Sequence, residues 1–323
     1  MKPYAPRFVT HDDPYLKRRR RRGVILVAVA VASLAGAVFG IRALMLSLAE
    51  RRALGQGRPD RAETLALWDA GEYASVAELA QKALAETPLD PFFLSMHGLS
   101  SFYLAMSELD AERKAEELSR SVFSLRKAVL DGDSDLEAKC RYILGKAYYH
   151  QGLDYAPEAI SQLSAAADLG FTQVDTWEYL GLASKSLGDM QASAAYFEKA
   201  MAASPDSYEL KAAAAAIYVE IGRSDEAEKL AREAMDKTQD AYLRERCAFL
   251  LADIYRGRAR FDDALALYQS IKDGNPESAD AWYYEGLVYQ ALGDQLKARA
   301  AWRKAVSIDP MHQEARKKLA ERT

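Results

Sequence analysis

The chain has 323 residues, 50% of them hydrophobic and 28% charged, which excludes a wholly disordered protein and favours two domains or an elongated fold. Its two cysteines exclude a scaffold built on disulfide bonds. The net charge is −4, but eight basic and two acidic residues give the first 22 residues +6 and leave −10 for the rest. This acidic body argues against nucleic-acid binding, because phosphate recognition needs clustered Lys and Arg.

An apolar segment follows the basic amino terminus. Residues 23–41 contain no charged side chain, and apolar residues continue to position 46 beyond Arg42. A helix of that uncharged length spans about 28 Å, close to the thickness of the hydrocarbon core of a bilayer. We therefore predict a transmembrane helix over 23–46 and a helical linker over 47–56. A cleaved signal peptide remains the main alternative, although this apolar run is longer than usual for one.

The distribution of basic residues predicts the orientation of this helix. Six contiguous basic residues, Lys17–Arg22, precede it, whereas Arg42 and then Arg51 and Arg52 follow it. The more basic flank of a membrane helix usually stays in the cytoplasm. Residues 1–22 are therefore predicted to be a disordered cytoplasmic arm, and the larger carboxyl part is predicted to be exported. The protein would be a single-pass protein of the inner, or cytoplasmic, membrane of a bacterium, with its repeats on the periplasmic side.

The rest of the chain contains an internal repeat. Residues 175–205 align with residues 280–310 at a constant offset of 105, which corresponds to three periods of 35. Aromatic, glycine, alanine and proline positions coincide in the two segments, namely Trp177 with Trp282, Gly181 with Gly286, Phe197 with Trp302, Ala200 with Ala305 and Pro205 with Pro310. A turn residue recurs along the chain at a spacing of 34 to 37, at Gly152, Gly188, Gly222, Ala259 and Gly293.

Each copy is predicted to form two helices joined by a tight turn. A glycine such as Gly188 tolerates the positive φ that often ends a helix. Gly181, and alanines such as Ala298, would let the two helices approach closely. A proline such as Pro205 cannot continue the second helix. Because one helix pair cannot bury its apolar face alone, the copies are expected to stack on one another.

This pattern resembles the tetratricopeptide repeat family. Its signature residues appear in the last copy, with Glu285 as the departure, at Trp282, Gly286, Tyr289, Ala298, Trp302, Ala305 and Pro310. The resemblance implies an all-α fold, a right-handed superhelix (α-solenoid) of helix pairs, over residues 57–312. About seven units are expected, at 57–90, 91–137, 138–173, 174–207, 208–244, 245–278 and 279–312, with a capping helix over 313–323. The second unit is about 13 residues too long, and its second helix is predicted over 108–130.

The resemblance also implies where a partner would bind. In this family the first helices of the units line a concave face that usually holds a peptide. The register of the family places Phe249 and Arg256 of the sixth unit on that face. It also places an aromatic and basic group there, at Lys139, Tyr142, Lys146, Tyr149, His150 and Lys185. We predict that this group forms a groove for an extended peptide that bears carboxylates. The alternative is an ordinary solvated surface.

No pattern of residues predicts catalysis. The four histidines form no metal-binding motif, the two cysteines are far apart, and no phosphate-binding loop is present. We therefore expect no enzyme activity, metal or cofactor. The leading hypothesis is a membrane-anchored scaffold for a protein or peptide in envelope assembly or secretion. One alternative is a cytoplasm-facing adaptor for a regulatory or lipopolysaccharide-assembly complex, and another is an enzyme whose site lies in the unusual second unit.

Overall fold

The computed structural model describes residues 60–130 and 136–321. The chain divides into residues 1–60 and 61–323, and the helical repeats belong to the second of these units. The predicted arm (1–22), transmembrane helix (23–46) and linker (47–56) lie outside the described residues. Among the residues that are described, no helix is both long enough and apolar enough to span a membrane.

The described residues contain fifteen α-helices and no β-strand, which confirms the predicted all-α class. In chain order the helices are α1 (Arg61–Asp69), α2 (Tyr73–Glu86), α3 (Pro91–Ser107), α4 (Ala111–Ala128), α5 (Glu137–Gln151), α6 (Ala156–Asp168), α7 (Thr176–Ser186), α8 (Met190–Ala203), α9 (Tyr208–Glu220), α10 (Ser224–Lys237), α11 (Ala241–Gly257), α12 (Phe261–Gly274), α13 (Ala279–Ala291), α14 (Gln295–Ile308) and α15 (Gln313–Ala320). A short 3₁₀ turn, Leu153–Tyr155, precedes α6.

These helices form seven consecutive pairs followed by α15. Each helix packs against the next one in the chain, and the first helices of several neighbouring pairs also touch each other, as α3 touches α5 and α5 touches α7. The first helix of the first pair, α1, is short, with only 9 residues. Apolar clusters continue from one pair into the next, so the core is built from contacts between helix pairs that are neighbours in the sequence.

The turns inside the pairs follow the predicted glycine positions. Gly188 has a φ of +78°, and the next residue, Asp189, caps α8 by accepting a hydrogen bond from the backbone N–H of Ala192 at 2.9 Å. Ala259 has the same role in the sixth pair with a φ of +57°, the one non-glycine residue of the described chain with a positive φ. Ala259 therefore adopts a left-handed backbone conformation that residues with a Cβ atom disfavour.

The small residues of the repeat lie where two helices cross. A Cβ added to Gly286 would collide with the indole of Trp302, and one added to Gly181 would lie 3.0 Å from the ring of Phe197. The alanines at the same contacts are completely buried, namely Ala200, Ala298 and Ala305. These residue sizes therefore set the separation of the helices in each pair.

The remaining repeat residues flank these contacts. Trp177 is half-buried and stacks on Tyr196, with 6.2 Å between the ring centroids. Pro205 and Pro310 lie two positions beyond the last residues of α8 and α14, directly after the C-cap residue of each helix. At this position the missing N–H of proline costs no helical hydrogen bond.

The second pair contains the longest helix of the described chain. Helix α4 has 18 residues, against 13 or 14 in the second helices that follow it. The predicted range of 108–130 is too long at both ends. Asp110 accepts hydrogen bonds from the N–H groups of Glu112 and Arg113, and this cap makes the helix begin at Ala111.

The departure from the repeat signature at Glu285 has a structural partner. Lys272 of α12 lies 2.8 Å from the carboxylate of Glu285 on α13, and the two side chains are only 5% and 11% exposed. The ammonium group of Lys272 also lies 4.0 Å from the ring centre of Trp282. A buried ion pair therefore joins the sixth and seventh helix pairs.

The carboxyl end of the stack is closed by α15, which is shorter than the predicted 313–323 and ends at Ala320. His312 caps this helix, since its Nδ1 accepts from the N–H of Ala315 at 3.4 Å. Ala315 is buried against the cluster around Trp302. The helix thus covers the apolar side of the last pair.

Candidate functional site

Helices α5 and α7 bring most of the predicted groove residues together. Lys146 on α5 donates to the carboxylate of Asp175 at 2.7 Å and to the hydroxyl of Tyr142 at 3.2 Å. Tyr142 in turn donates to the other oxygen of Asp175 at 2.5 Å. The Lys146 side chain is only 13% exposed. The cation predicted to attract a peptide is therefore already paired with a carboxylate of the next helix pair.

Aromatic rings enclose the same lysine. Its ammonium lies 4.6 Å from the ring centre of Tyr179, 5.1 Å from that of Tyr142 and 5.6 Å from that of Phe102. Rings at these distances attract a cation through their negative faces. Burial first, and then the hydrogen bond to Asp175, raise the pKa of Tyr142 far above its ordinary value. Its hydroxyl is therefore a permanent hydrogen-bond donor at neutral pH.

Tyr149 and His150 extend this group along α5. His150 Nε2 lies 3.0 Å from the hydroxyl of Tyr179, and the rings of Tyr149 and Tyr179 meet edge to face at 5.3 Å. Burial lowers the pKa of His150, and the charges of Lys114 and Lys146 lower it further. The imidazole is therefore neutral at neutral pH and contributes no positive charge to the face.

The last two predicted groove residues lie at the margins. Lys139 rests on the ring of Trp68, 4.4 Å from its centre, and lines a cavity of about 380 Å³ together with Tyr103 and Tyr142. Lys185 is exposed at the end of α7 and joins none of the hydrogen bonds or ring contacts of the group within the described chain. The structure thus gathers five of the six residues and leaves Lys185 outside the cluster.

A larger cavity lies on the same face, further along the chain. We call the surface formed by α5, α7, α9, α11 and α13 the first-helix face. The cavity has a volume of about 520 Å³, and most of its lining comes from α9, α11 and α13. Its walls combine apolar, aromatic and charged side chains, which are Ala212, Ala216, Arg246, Cys247, Phe249, Leu250, Asp253, Arg256, Tyr268, Asp280 and Tyr284.

The rings of this cavity pack on one another. Tyr268 is buried and stacks on Tyr284, with centroids 6.1 Å apart and 10° between the planes. Phe249 contacts both rings, at 6.3 and 6.0 Å. Such mutual packing fixes the side chains before any ligand arrives.

The charged groups of the cavity differ in their partners. Arg256 donates to Asp253, while its buried Nε has no acceptor at hydrogen-bond geometry in the part of the chain that is described. Asp280 lies 3.2 Å from His312 Nε2. Arg246 is exposed and forms no ion pair with any described residue.

The sequence contained a signal for this second cavity. Arg246, Phe249, Asp253 and Arg256 follow one another at spacings of 3, 4 and 3, which places them on one side of α11. The positions predicted from the repeat register include two of them, Phe249 and Arg256. The contribution of Tyr268, which comes from a second helix, has no such periodic signal.

Both cysteines are free thiols. Cys140 and Cys247 are both buried, and burial raises the pKa of each thiol to about 11. Across the described ranges no group of three or more His, Cys, Asp or Glu side chains could hold a metal ion. The described face thus presents aromatic rings, the paired charges of Lys146 and Asp175, and the exposed Arg246.

Comparison with known proteins supports the repeat assignment. Family models described as tetratricopeptide repeat match residues 186–247 and 279–312. Human tetratricopeptide repeat protein 21A is 25% identical over 233 residues, which make up 66% of this chain but only 18% of the human protein. The chain therefore spans less than a fifth of the length of that relative.

Solved structures show the same fold. The C-terminal part of a TPR repeat-containing protein from Cytophaga hutchinsonii has a TM-score of 0.58 and 18% identity, and covers 81% of this chain and 100% of its own. MamA 41-end from Desulfovibrio magneticus RS-1 has a TM-score of 0.50 and 19% identity, over 56% of this chain and 98% of its own. The fold is a tetratricopeptide-like solenoid, and the matches support a protein of the tetratricopeptide repeat family.

Proposed function

We propose that this chain is a scaffold that binds an extended segment of a partner protein on its first-helix face. The observation that carries the proposal is the cavity of about 520 Å³ between α9, α11 and α13, whose aromatic walls are packed in place. Its volume lies within the range of about 300–1,000 Å³ that is usual for ligand sites.

Binding rather than catalysis is the proposed activity. In the cluster around Lys146, the cation is paired with Asp175 and the tyrosines have raised pKa values, that of Tyr179 to about 12. Paired or protonated groups of this kind donate hydrogen bonds but are poorly suited to accept protons at neutral pH. They suit a surface that holds its shape while a partner docks.

We further propose that residues 23–46 anchor the protein in the inner membrane and that the repeats lie on the exported side. The uncharged run of 19 residues and the preceding Lys17–Arg22 support this placement. The chain would then concentrate its partner at the membrane during envelope assembly or secretion. The alternative, a cytoplasm-facing adaptor, has the same fold with the opposite orientation.

Topology can be measured with two reporters fused to the carboxyl terminus, one active only after export and the other active only in the cytoplasm. We expect activity from the export reporter. Activity from the cytoplasmic reporter alone would reverse the predicted orientation and favour the adaptor.

Binding can be tested in the host cell with a photo-reactive phenylalanine analogue. The analogue replaces Phe249 or Tyr149 on the first-helix face, and in the control protein it replaces Lys304, an exposed residue of the second helix α14. We expect light-dependent adducts from the first-helix positions and none from the control. Adducts that are equally frequent at the control position, or absent at both test positions, would contradict the proposal.

A further inference from the structure

We infer that the cavity of the fifth to seventh helix pairs binds a peptide segment with a large apolar side chain next to a carboxylate. This inference rests on the proposed scaffold function and adds the chemistry of the segment that is recognised. The cavity is distinct from the group around Lys146 that the sequence predicts as the groove.

The apolar part of the inference follows from the cavity walls. Phe249, Tyr268 and Tyr284 contribute aromatic rings to the lining, and the small residues Ala212 and Ala216 of α9 leave space within it. A volume of about 520 Å³ exceeds that of a single aromatic side chain, so part of the neighbouring peptide backbone also fits. An apolar side chain would displace water from these walls without any rearrangement of the rings.

The peptide backbone has a donor available inside the cavity. Arg256 uses one terminal nitrogen for Asp253, but its buried Nε donates to no acceptor among the described residues. The hydroxyl of Tyr268 lies within hydrogen-bonding reach of this guanidinium, but it makes no hydrogen bond of normal geometry to Nε. A buried N–H without an acceptor is unfavourable. Because Nε itself is closed to solvent, a backbone carbonyl of the peptide would satisfy it once the Arg256 side chain turns toward the cavity.

The preference for a carboxylate follows from the partners of the four charged residues in the lining. Asp253 is held by Arg256, and Asp280, which is mostly exposed, lies 3.2 Å from His312 Nε2 without a hydrogen bond of normal geometry. Arg246 pairs with no carboxylate of the described chain, and its guanidinium lies 5.8 Å from the ring centre of the exposed Tyr242. Arg246 is therefore the cation at this cavity that can bind a carboxylate of the ligand.

The group around Lys146 supports this choice by contrast. There the lysine, the tyrosine hydroxyl and the acceptor Asp175 satisfy one another. An acidic peptide would have to compete with Asp175 for the lysine, whereas at Arg246 it would meet no such competitor. We therefore place the binding site for an acidic peptide at Arg246 in the sixth pair, and not at Lys146 in the third pair as the sequence predicts.

The experiment uses the full chain in detergent and three fluorescent ten-residue peptides. Their central residues are Glu-Phe-Glu, Lys-Phe-Lys or Glu-Ala-Glu in a constant Gly-Ser background, and binding is measured by fluorescence anisotropy. We expect the first peptide to bind at least tenfold more tightly than either of the others. The two flanking positions make the result independent of the direction in which the peptide lies.

Two substitutions assign this binding to the cavity. Arg246→Glu should reverse the preference, so that the Lys-Phe-Lys peptide binds more tightly than the Glu-Phe-Glu peptide. Ala216→Phe should fill the cavity and weaken the Glu-Phe-Glu peptide at least tenfold. The matched controls, Arg303→Glu on α14 and Ala202→Phe on α8, change exposed residues of second helices and should leave binding unchanged.

The following results would decide against the inference. Equal affinity for the Glu-Phe-Glu and Lys-Phe-Lys peptides would refute the recognition of a carboxylate. A preference for the Glu-Phe-Glu peptide that persists in the Arg246→Glu protein would refute the role of Arg246. If Ala216→Phe loses its helical circular dichroism, the Arg246→Glu exchange still decides. If no peptide binds but the photo-reactive group at Phe249 still forms adducts, the inferred peptide chemistry is wrong and the proposed scaffold function stands. If no peptide binds and no adduct forms, both proposals are wrong.

Discussion

The ion pair between Lys272 and Glu285 provides a sharp test of the structure, because the sequence presents Glu285 only as a departure from its repeat. The perturbation is Glu285→Leu, which restores the type of residue that an apolar helix contact would favour. A parallel variant is Lys272→Leu, and the third carries both substitutions. The structure predicts that either single change is harmful and that the combination is not.

The magnitude follows from the burial of the pair. Both side chains are almost inaccessible, at 5% and 11% exposure, and their charged atoms are 2.8 Å apart. Removal of one member of a buried pair leaves an uncompensated charge and costs about 3–5 kcal/mol. In Glu285→Leu the ammonium retains Trp282 at 4.0 Å, so this loss should be smaller than that of Lys272→Leu. Replacement of both by leucine should fall within about 1 kcal/mol of the parent, or be stabilising.

Native-state hydrogen exchange with mass spectrometry is the suitable assay, because long repeat arrays need not unfold in one step. A cost of about 3–5 kcal/mol raises the opening equilibrium of α12 and α13 by roughly a hundredfold to a few thousandfold. Peptides from α3 and α4 serve as an internal reference. Glu78→Gln, which breaks the exposed pair with Lys82, is the matched control and should leave exchange unchanged.

Two outcomes would refute the reasoning. One is a Glu285→Leu protein whose α12 and α13 exchange as slowly as in the parent, which would mean that the pair is solvated. The other is a double variant whose loss equals the sum of the two single losses, since the two side chains would then not be coupled.

Three further predictions concern the turns, the crossings and pH. Ala259→Gly should stabilise the sixth pair by about 1 kcal/mol, because glycine adopts a positive φ without strain, and Gly222→Ala should destabilise the fifth pair by a similar amount. Chemical denaturation measures both changes. An Ala259→Gly protein with the same free energy of unfolding as the parent would contradict the strained turn. Gly286→Ala should destabilise the protein by about 1–3 kcal/mol, because the added methyl group would collide with the indole of Trp302. Gly181→Ala should cost less, since its methyl group would lie 3.0 Å from Phe197. Equal thermal midpoints for the two variants would contradict the close contact between Gly286 and Trp302. Burial lowers the pKa of His150 in the folded state, so the stability it contributes is present above the ordinary pKa of 6.5 and is lost as the pH falls. The parent should therefore lose more thermal stability than His150→Asn between about pH 7.5 and 5.5, and parallel curves would disprove this role.

The helical pairs could be predicted from the sequence because their signals are local. Glycine at the turn, alanine at the crossing and proline after the second helix each act within a few residues, and they recur at nearly constant spacing. The cap at Asp110 is also local, but its effect on the start of α4 depends on hydrogen bonds that a periodic pattern does not show.

The candidate site could be predicted only in part. Spacing along α5 places Tyr142, Lys146 and Tyr149 on one face, as the register implies, but the charge of Lys146 is neutralised by Asp175 of the next helix pair. Likewise, the cavity along α11 depends on the small alanines of α9 and on Tyr268 of α12. A pattern within one unit carries no information about which side chain a neighbouring unit presents.

The two polar links between units have a consequence for the order of the repeats. In a stack of interchangeable copies, one unit could be exchanged for another, or duplicated, without harm to its neighbours. Here Lys146 requires the carboxylate of the fourth pair, and Lys272 requires that of the seventh. A recombination that gave either lysine a neighbouring unit without this carboxylate would leave a poorly exposed ammonium unpaired, so each link restricts which unit can follow.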